Sequence, residues 1–360
     1  MLPYIVLITL PVLFQHINLK NGTIDLLANR EKSNLAMKIF WVLLFFLLIL
    51  RHETVGRDLP NYKYIYSWIA NSDWEAAIGR SEEIGYSILN KLISLSINDF
   101  RGVLVVAAII SVWFTAKAYI KYSEDAVLSM ALYLNVSCFI MLFSGLRQSI
   151  AMSIGFVAFE FTRKRKIWSF LIVVAIAMLF HTSAFMLVFM YPLYYIKIRR
   201  ENVIFVMPIL AMIYLFRQRI FSVLGAFLNY FTDYDTTIIE TGAYTTLILF
   251  CIIAVFCFVI PDESKIDQDT FGMRSFLLFS IALQMFASLH SLAMRMNYYY
   301  IMFTPILVSR IIQCRGKTWS NVAIIARNVM VVFFILYFLK SAPEENALDT
   351  FPYRFFWESV

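Results

Sequence analysis

"IWSFLIVVAIAMLFHTSAFMLVFMYPLYYI", residues 167–196, is the stretch that decides the fold, because none of its thirty residues is Asp, Glu, Lys or Arg. Basic clusters flank it on both sides, "RKRK" at 163–166 and "KIRR" at 197–200. A helical membrane span needs roughly 20 predominantly apolar residues. The stretch is therefore predicted to lie in a membrane, and it places a histidine, a threonine and a serine at its centre.

The whole chain repeats this apolar character. Of its 360 residues, 61% are hydrophobic and only 15% are charged, whereas a soluble chain of this length would carry polar helix faces. We therefore predict an all-α, polytopic integral membrane protein, a single transmembrane domain over 1–360, with about twelve transmembrane helices (range about 10–12). The predicted spans are 2–19, 35–50, 101–120, 126–144, 146–162, 167–180, 182–196, 202–216, 243–260, 273–290, 296–312 and 321–340.

The basic residues predict the orientation of these spans. If every segment crosses, the basic clusters fall on one side, which the positive-inside rule makes the cytoplasm. The net charge of +7 is then explained by topology, and no nucleic-acid partner is expected. The stretches 51–100 and 217–242 become outer loops. The four cysteines are scattered, with no metal-binding or disulfide spacing.

His181 gains meaning from this topology. The run 167–196 has cytoplasmic clusters at both ends, so it must cross outward and return. Each arm has about 14 residues, or about 21 Å of helix, which is shorter than the apolar core of about 30 Å. A turn at that depth needs protein or a water-filled cavity around it, and an ionisable residue there predicts a functional site. The alternative is a histidine that only satisfies the backbone of the turn.

Two arginines form a similar pattern. In "FSGLRQSIAMS" (143–153), Arg147 and Gln148 stand in the first turn of a helix that descends from the outer surface. A helix N-terminus with a guanidinium favours phosphate. Arg295, in "SLAMRMNYYY", lies on the same side with Tyr299 close behind. These residues suit a membrane-anchored diphosphate; the alternative is that the arginines extend to the membrane surface, as we expect for Arg327 near the inner end of its span.

The outer loop 51–100 carries the residue types of a sugar site. "GRDLPNYKYIYSW" (56–68) is polar and aromatic, and "SEEIGYSILNKL" (81–92) predicts an amphipathic helix lying along the membrane. Carboxylates bind hydroxyl groups, and aromatic rings cover the apolar faces of sugars. An ordinary solvated loop with aromatic anchors is the alternative. The candidate sugar ligands are Arg57, Asp58, Asn61 and the four aromatic residues of the first motif, with Glu82, Glu83 and Tyr86 of the second.

These motifs together resemble a known family. "GRDLPNY", "EIGYSILNKL", "SGLRQSIAMSI", "FHTSAF", "MRMNYYY" and a terminal "FPYRFFW" follow the order seen in bacterial Wzy-type O-antigen and exopolysaccharide polymerases. The chain is most similar to the EpsG-like branch over nearly its whole length. "RQSIA" and "FHTSA" are the most specific elements.

The resemblance implies a GT-C-like membrane glycosyltransferase in the bacterial inner (plasma) membrane, with its active site facing the periplasm or exterior. Such enzymes move a growing glycan from undecaprenyl diphosphate onto the non-reducing end of a lipid-linked repeat unit, and they use neither a nucleotide sugar nor a cofactor. A Wzz-type chain-length regulator is a further partner that the family implies. The catalytic candidates are Arg147, His181, Arg295, Asp58 and Glu83; the substrate-binding candidates are Arg57, Tyr62, Gln148, Tyr86 and Tyr299.

The expected chemistry assigns roles to these residues. Arg147 and Arg295 would stabilise the negative charge on the departing diphosphate in place of a divalent metal, so we predict metal independence. The acceptor hydroxyl needs a general base, which Asp58, Glu83 or neutral His181 could provide. A protonated His181 could instead bind the diphosphate, and the sequence leaves this choice open.

Three other functions are weighed against the polymerase. A flippase or transporter for the same lipid would carry charges through a cavity that reaches both faces. Apart from the Lys and Arg of the inner loops, the ionisable residues here concentrate toward the outer half. An O-antigen ligase would have its long outer loop late in the chain, whereas here it is early. A membrane acyltransferase would bind its acyl donor from the cytoplasm.

Overall fold

The computed structural model describes residues 1–18, 23–24, 30–79, 83–228, 240–345 and 347–359. The α-helices in these ranges are, in chain order, α1 (Leu2–His16), α2 (Arg30–Leu50), α3 (Leu59–Asn71), α4 (Trp74–Gly79), α5 (Ile84–Ser96), α6 (Phe100–Tyr122), α7 (Ala126–Asn135), α8 (Ser137–Phe143), α9 (Leu146–Arg163), α10 (Ile167–Phe180), α11 (Met190–Tyr195), α12 (Val203–Leu228), α13 (Glu240–Val259), α14 (Gln268–Gln284), α15 (Ser291–Ile301), α16 (Thr304–Gln313) and α17 (Ser320–Glu345). Short 3-10 helices cover Thr182–Phe189, Arg200–Asn202, Glu263–Lys265 and Ala347–Asp349, and Ile17–Asn18 pairs with Thr23–Ile24 as a two-residue antiparallel ladder. The all-α prediction is confirmed.

Several helices have the length and composition of membrane spans. Among the described residues, four qualify singly: Arg30–Leu50, Phe100–Tyr122, Arg200–Val223 and Ser320–Glu344. A fifth arises if α7 and α8, which bend by 71° at their junction, form one broken span. Three more helices are apolar but shorter: Leu2–His16, Ile167–Phe180 and Ala243–Val259. These apolar helices are suited to a membrane protein, while the count of about twelve spans and the GT-C-like class remain predictions.

The broken span replaces the single segment predicted at 126–144. α7 ends at Asn135, whose side-chain Nδ2 donates to the carbonyl oxygens of Ala131 and Phe334, both at 2.8 Å. α8 then begins at Ser137 in a new direction. Neither proline nor glycine marks this break, so a local reading of the sequence had no signal for it.

The chain divides into two compact units. The first unit comprises Met1–Val188 with Ile325–Val360, and the second comprises Phe189–Ile324. The prediction of one transmembrane domain over the whole chain is not tested by this division. The two units are described separately below.

In the first unit, helices α9 and α10 form an antiparallel hairpin. α9 also packs on α6, which packs on α2, and α2 packs on α1. Buried aromatic rings fill the space between these helices: the ring of Trp41 lies 5.4 Å from Tyr119 and 5.1 Å from Tyr133, measured between centroids. Close packing of these rings contributes to the stability of this unit.

A buried ion pair crosses the same unit. Arg327 donates to both carboxylate oxygens of Asp125 at 2.7 and 3.0 Å, and Gln15 donates to Asp125 at 2.8 Å. Both charged side chains are almost fully buried. The expectation that Arg327 extends to the membrane surface is therefore wrong, because a carboxylate from a distant helix end is available to it inside the protein.

The stretch 51–100, which was expected to be an outer loop, folds into helices α3, α4 and α5. The amphipathic helix predicted at 81–92 corresponds to α5, and residues 80–82 lie outside the described part of the chain. Gly56 begins this region with φ +130°, and a Cβ there would lie 2.2 Å from the carbonyl oxygen of Phe143. Only glycine allows this backbone approach. The loop is thereby held against the end of α8.

The segment 351–357 returns to this same region. The backbone N–H of His52 donates to Arg354 O at 2.8 Å, the N–H of Phe356 donates to Leu50 O at 2.9 Å, and Arg51 and Phe355 form an isolated antiparallel bridge. Arg51 is fully buried and donates to the carbonyl oxygen of Phe143 at 2.7 Å. The segment is therefore tied to the start of the outer loop.

In the second unit, α14 packs against α11, α13, α15 and α16. A buried polar chain joins Ser280, Asn297 and Gln284 by side-chain hydrogen bonds of 2.7 and 3.0 Å. Helix α12 continues to Leu228, so the first half of the stretch 217–242 is helical where an outer loop was expected. Residues 229–239 of that stretch lie outside the described part of the chain.

Candidate active site

The ends of four helices meet in the first unit. The α9–α10 hairpin brings the N-terminus of α9 beside the C-terminus of α10, because the short connection lies at the other ends of both helices. α5 packs on α10 and α3 packs on α5. At the ends of a helix, backbone N–H and C=O groups lack helical partners, so a place where helix ends meet favours polar side chains and ligands.

His181 occupies the C-cap of α10. Its backbone is extended (φ −157°, ψ 121°), and its N–H donates to Ala177 O at 3.1 Å. A 3-10 helix starts at the next residue, so the helical run breaks at the histidine, as predicted. The depth of this break in a membrane stays a prediction. The side chain of His181 is 12% exposed.

Glu83 is the N-cap residue of α5, and its carboxylate bridges His181 and Arg147. One carboxylate oxygen bonds Nδ1 of His181 and the other lies 2.5 Å from a guanidinium nitrogen of Arg147. Because an ionised carboxylate only accepts hydrogen bonds, this contact favours a proton on Nδ1, and in the neutral ring Nε2 would then be the basic nitrogen. Glu83 is nearly buried at 7% exposure, whereas Arg147 is 34% exposed.

Close packing of α5 on α10 fixes this bridge. A Cβ on Gly85 would lie 2.9 Å from the Cβ of Leu179 and 3.0 Å from its carbonyl oxygen. The absence of a side chain at Gly85 therefore lets the backbone of α5 approach the last turn of α10. Glu83 precedes this contact by two residues and His181 follows it by two.

Arg147 lies in the first turn of α9, as predicted. Gly145 is the N-cap, and the connection from α8 consists of Ser144 and Gly145. The guanidinium carbon lies 5.4 Å from the ring centroid of Tyr62 and 6.0 Å from that of Tyr86, and Nε reaches the Tyr62 hydroxyl at 3.5 Å. The arginine is held between an anion and aromatic rings, which orients its remaining N–H groups.

Tyr62 and Tyr86 form the aromatic wall of the cluster. Their ring centroids are 5.6 Å apart at an interplanar angle of 62°. Both rings are buried. Burial raises the pKa of Tyr62, and the neighbouring Arg147 guanidinium opposes the shift; burial also raises the pKa of Tyr86. Both phenols are therefore neutral at physiological pH.

The Glu83 cluster consists of Tyr62, Glu83, Tyr86, Arg147 and His181. The other predicted residues of this unit lie near this cluster or at its edge. Asp58 is the half-buried N-cap of α3, and its N–H donates to the hydroxyl of Ser144 at 3.1 Å, beside the start of α9. Gln148 is buried in the first turn of α9. Arg57 is exposed and pairs with Asp349 at 3.2 Å rather than with the Glu83 cluster.

Arg295 and Tyr299 belong to the second unit, on α15. Arg295 is half-buried, and Tyr299 is fully buried. Their predicted roles remain predictions.

Arg51 and Ser144 are positioning residues that sequence reasoning missed. Arg51 donates to the carbonyl oxygens of Leu142 and Phe143 at the end of α8, two residues before Gly145. Ser144 holds Asp58 from the same turn. The signal for Arg51 was its position directly after the apolar segment 35–50. A cation at the end of a helix is stabilised by the unpaired carbonyl groups there.

A sequence model of the EpsG family matches residues 34–355, which is most of the chain. The chain belongs to the EpsG family. Family membership indicates a polysaccharide polymerase of exopolysaccharide biosynthesis. No curated protein and no solved structure matches this EpsG-family chain.

The matched region contains the Glu83 cluster and both helices of the hairpin. A carboxylate–imidazole pair can remove a proton from a hydroxyl group, and a partly exposed guanidinium at a helix N-terminus can bind a phosphate. The cluster of this EpsG-family protein thus brings together side chains of the types that can act as a base and bind an anion.

Proposed function

We propose that this EpsG-family protein is a membrane polymerase that transfers a growing glycan from undecaprenyl diphosphate onto the non-reducing end of a lipid-linked repeat unit. The reaction takes place at the outer face of the bacterial plasma membrane. Family membership supports the polymerase class. The bridge from Glu83 to His181 and Arg147 is the observation that supports the finer chemistry.

His181 is the general base in this proposal. Its Nδ1 is engaged by Glu83, so Nε2 takes the proton from the acceptor hydroxyl. Glu83 holds the ring in this tautomer and stabilises the imidazolium that forms, the same logic by which a buried carboxylate supports a catalytic histidine in hydrolases. Glu83 is thereby a positioning residue, since both of its oxygens already have partners.

Arg147 binds the leaving group. As the acceptor oxygen bonds to the anomeric carbon, the bond from that carbon to the diphosphate oxygen breaks, and its electron pair remains on the diphosphate. The guanidinium and the N-terminus of α9 stabilise this charge. The guanidinium supplies the positive charge for this step, so we propose that no divalent metal is required. Asp58, Tyr62 and Tyr86 would contact sugar hydroxyls and ring faces.

Reconstitution tests this function. Purified protein in liposomes receives a lipid-diphosphate-linked repeat unit with EDTA and without nucleotide sugar. Wild type is compared with Arg147→Ala and His181→Ala, and with Arg30→Ala as a control that removes an exposed arginine paired with Glu124. We expect a ladder of repeat units from wild type and the control, lost in the other two variants.

Other outcomes separate the alternatives. Movement of the lipid between leaflets without a ladder would indicate a flippase or transporter. Transfer to lipid A core without chain growth would indicate a ligase. A ladder that persists in the His181→Ala variant would retain the polymerase and reject His181 as its base.

A further inference from the structure

The first unit contains a polar pocket, separate from the Glu83 cluster, that the proposed reaction does not use. Its cavity volume is about 300 Å³, and its lining includes His52, Glu53, Asp99, Arg101 and Phe356. Pockets for small ligands begin at about 300 Å³. We propose that this pocket binds a neutral sugar of the glycan, away from the reacting bond; the choice of glycan as ligand rests on the proposed function.

Three chain segments build the pocket. His52 and Glu53 follow α2, Asp99 and Arg101 form the start of α6, and Phe356 comes from the segment 351–357. The backbone hydrogen bonds of His52 with Arg354 and of Phe356 with Leu50 tie the first and third segments together. Arg101 adds bonds to the carbonyl oxygens of Ile49 at 3.2 Å and Arg51 at 3.4 Å. The lining is therefore preformed.

The charges in the pocket are balanced. Lys63 donates to both oxygens of Glu53 at 2.9 and 2.7 Å, and the Asp99 carboxylate accepts the backbone N–H of Arg101 at 2.9 Å. A phosphate would need excess positive charge, and a metal would need several converging ligands. In the described part of the chain, no three His, Cys, Asp or Glu side chains converge in this way. A neutral ligand fits best.

The remaining hydrogen-bonding groups suit hydroxyl groups. Each carboxylate oxygen has a second lone pair beyond its protein contact. The backbone N–H of Thr54 donates to Nδ1 of His52, and the Thr54 hydroxyl lies 3.0 Å from the same nitrogen. Nε2 then carries the ring N–H and can donate it to another partner. A polyhydroxyl ligand both donates to such oxygens and accepts from a ring N–H, as a sugar does.

Phe356 supplies a flat apolar surface. The guanidinium of Arg101 lies 3.8 Å from its ring centroid, yet the residue remains 44% exposed. The cation thus covers part of the ring and the ring of Trp357 packs against it at 4.8 Å between centroids, while the rest of the ring is exposed. Aromatic faces of this kind cover the C–H face of a sugar ring.

The pocket is connected to the Glu83 cluster by a short stretch of chain. His52 and Glu53 line the pocket, and ten residues after His52 the same chain reaches Tyr62, which contacts Arg147. Gly56 fixes the middle of this stretch against Phe143. A glycan held by the pocket would therefore be retained in the unit that carries the base, which affects substrate affinity and product length but not bond formation.

A binding measurement tests the proposal independently of polymerisation. The probe is the repeat-unit oligosaccharide, released from its lipid by mild acid and titrated by saturation-transfer NMR against protein in nanodiscs. All proteins in this titration carry Arg147→Ala, so a difference between them reports on the pocket and not on Arg147. We expect Phe356→Leu to weaken binding by about 3- to 10-fold, whereas Phe356→Trp, which keeps an aromatic ring, should bind as tightly as the protein with Phe356. Trp74→Leu, which removes an exposed aromatic side chain of α4 outside the pocket lining, is the matched control.

The ladder assay provides the second readout. With Arg147 restored, Phe356→Leu should shorten the products and raise KM while kcat stays within about 2-fold of wild type. Equal binding by Phe356→Leu and wild type would overturn the pocket. If Phe356→Leu does not fold, the pair Glu53→Gln and Asp99→Asn, which keeps side-chain volume, replaces it with the same expectation. A wild type without a ladder would instead reject the proposed function, while the NMR titration still decides the pocket.

Discussion

Glu83, the N-cap residue of α5, and His181, the C-cap residue of α10, share a hydrogen bond although they are 98 positions apart in the sequence. The same carboxylate pairs with Arg147, so one buried anion fixes both basic groups. In the proposed reaction the carboxylate positions both groups, His181 acts on the acceptor and Arg147 acts on the leaving group.

Removing the base or its orienting anion should impair catalysis in different ways. His181→Ala should lower kcat by about 10²- to 10⁴-fold, the usual contribution of a general base. Glu83→Gln keeps an acceptor near Nδ1 but loses the charge, so kcat should fall while KM changes little. Single-turnover kinetics would check this, with imidazole added to rescue the His181→Ala variant. A Glu83→Gln enzyme with unchanged kcat would contradict the positioning role.

Replacing Arg147 by lysine should separate charge from geometry. Lysine keeps the positive charge but lacks the planar fork that grips a diphosphate. Loss of one charge-assisted hydrogen bond corresponds to about 10- to 100-fold in kcat/KM. Kinetics with the lipid-linked donor would measure this. Full activity in the Arg147→Lys variant would show that charge alone suffices.

Gly85→Ala should disturb the cluster by moving α5. The new Cβ would lie 2.9 Å from the Cβ of Leu179, so the helix must shift and Glu83 must shift with it. We expect a destabilisation of about 1–3 kcal/mol, together with a loss of activity. Gly79→Ala is the control, because a Cβ at Gly79 meets no atom within 4 Å. Equal activity of the two variants would argue against the close packing of α5 on α10.

The buried Asp125–Arg327 pair should be important for stability. Asp125→Asn leaves a buried arginine without its counter-charge, which costs about 3–5 kcal/mol. The adjacent pair of Arg30 and Glu124 is exposed at the arginine, so Arg30→Ala should cost less than about 1 kcal/mol. Unfolding midpoints in detergent would compare them. Similar losses in both variants would indicate that Asp125 and Arg327 are solvated in the folded protein.

The buried tyrosines predict a fall in stability at alkaline pH. Burial raises the pKa of Tyr62 and of Tyr86, so the unfolded chain loses these protons first as the pH rises through about 10. The unfolded state is then favoured, and the stability contribution is lost between the unfolded and folded pKa values. Unfolding midpoints at about pH 9 and about pH 11 should show a smaller decrease for Tyr86→Phe than for wild type. An equal decrease would mean that the phenol is accessible to water.

Helix positions were predictable where local signals are strong. The expected segment 167–180 coincides with α10, because it lies between a basic cluster and the polar residues that follow Phe180. The break at His181 and the start of α9 at Leu146 were also predictable, from a polar interruption and from Gly145. In each case the deciding residues are neighbours in the sequence.

Long-range pairing was not predictable. The residues Glu83, Arg147 and His181 could be chosen for their chemistry, but their mutual contacts depend on how α5, α9 and α10 pack. The pairing of Arg327 with Asp125 and the bend at Asn135 could not be predicted for the same reason. In both cases the partner atom comes from a distant part of the chain. Sequence spacing carries no information about such partners.

The connection between α9 and α10 has a practical consequence for imaging. Lys164–Lys166 form a short exposed link, and Arg147 and His181 lie at the opposite ends of the two helices, about 20 Å away along the hairpin axis. A small rigid domain inserted at this link, or an antibody fragment raised against it, would enlarge the particle for electron cryomicroscopy. The catalytic end would stay accessible, so lipid-linked substrates could be visualised in the same particles.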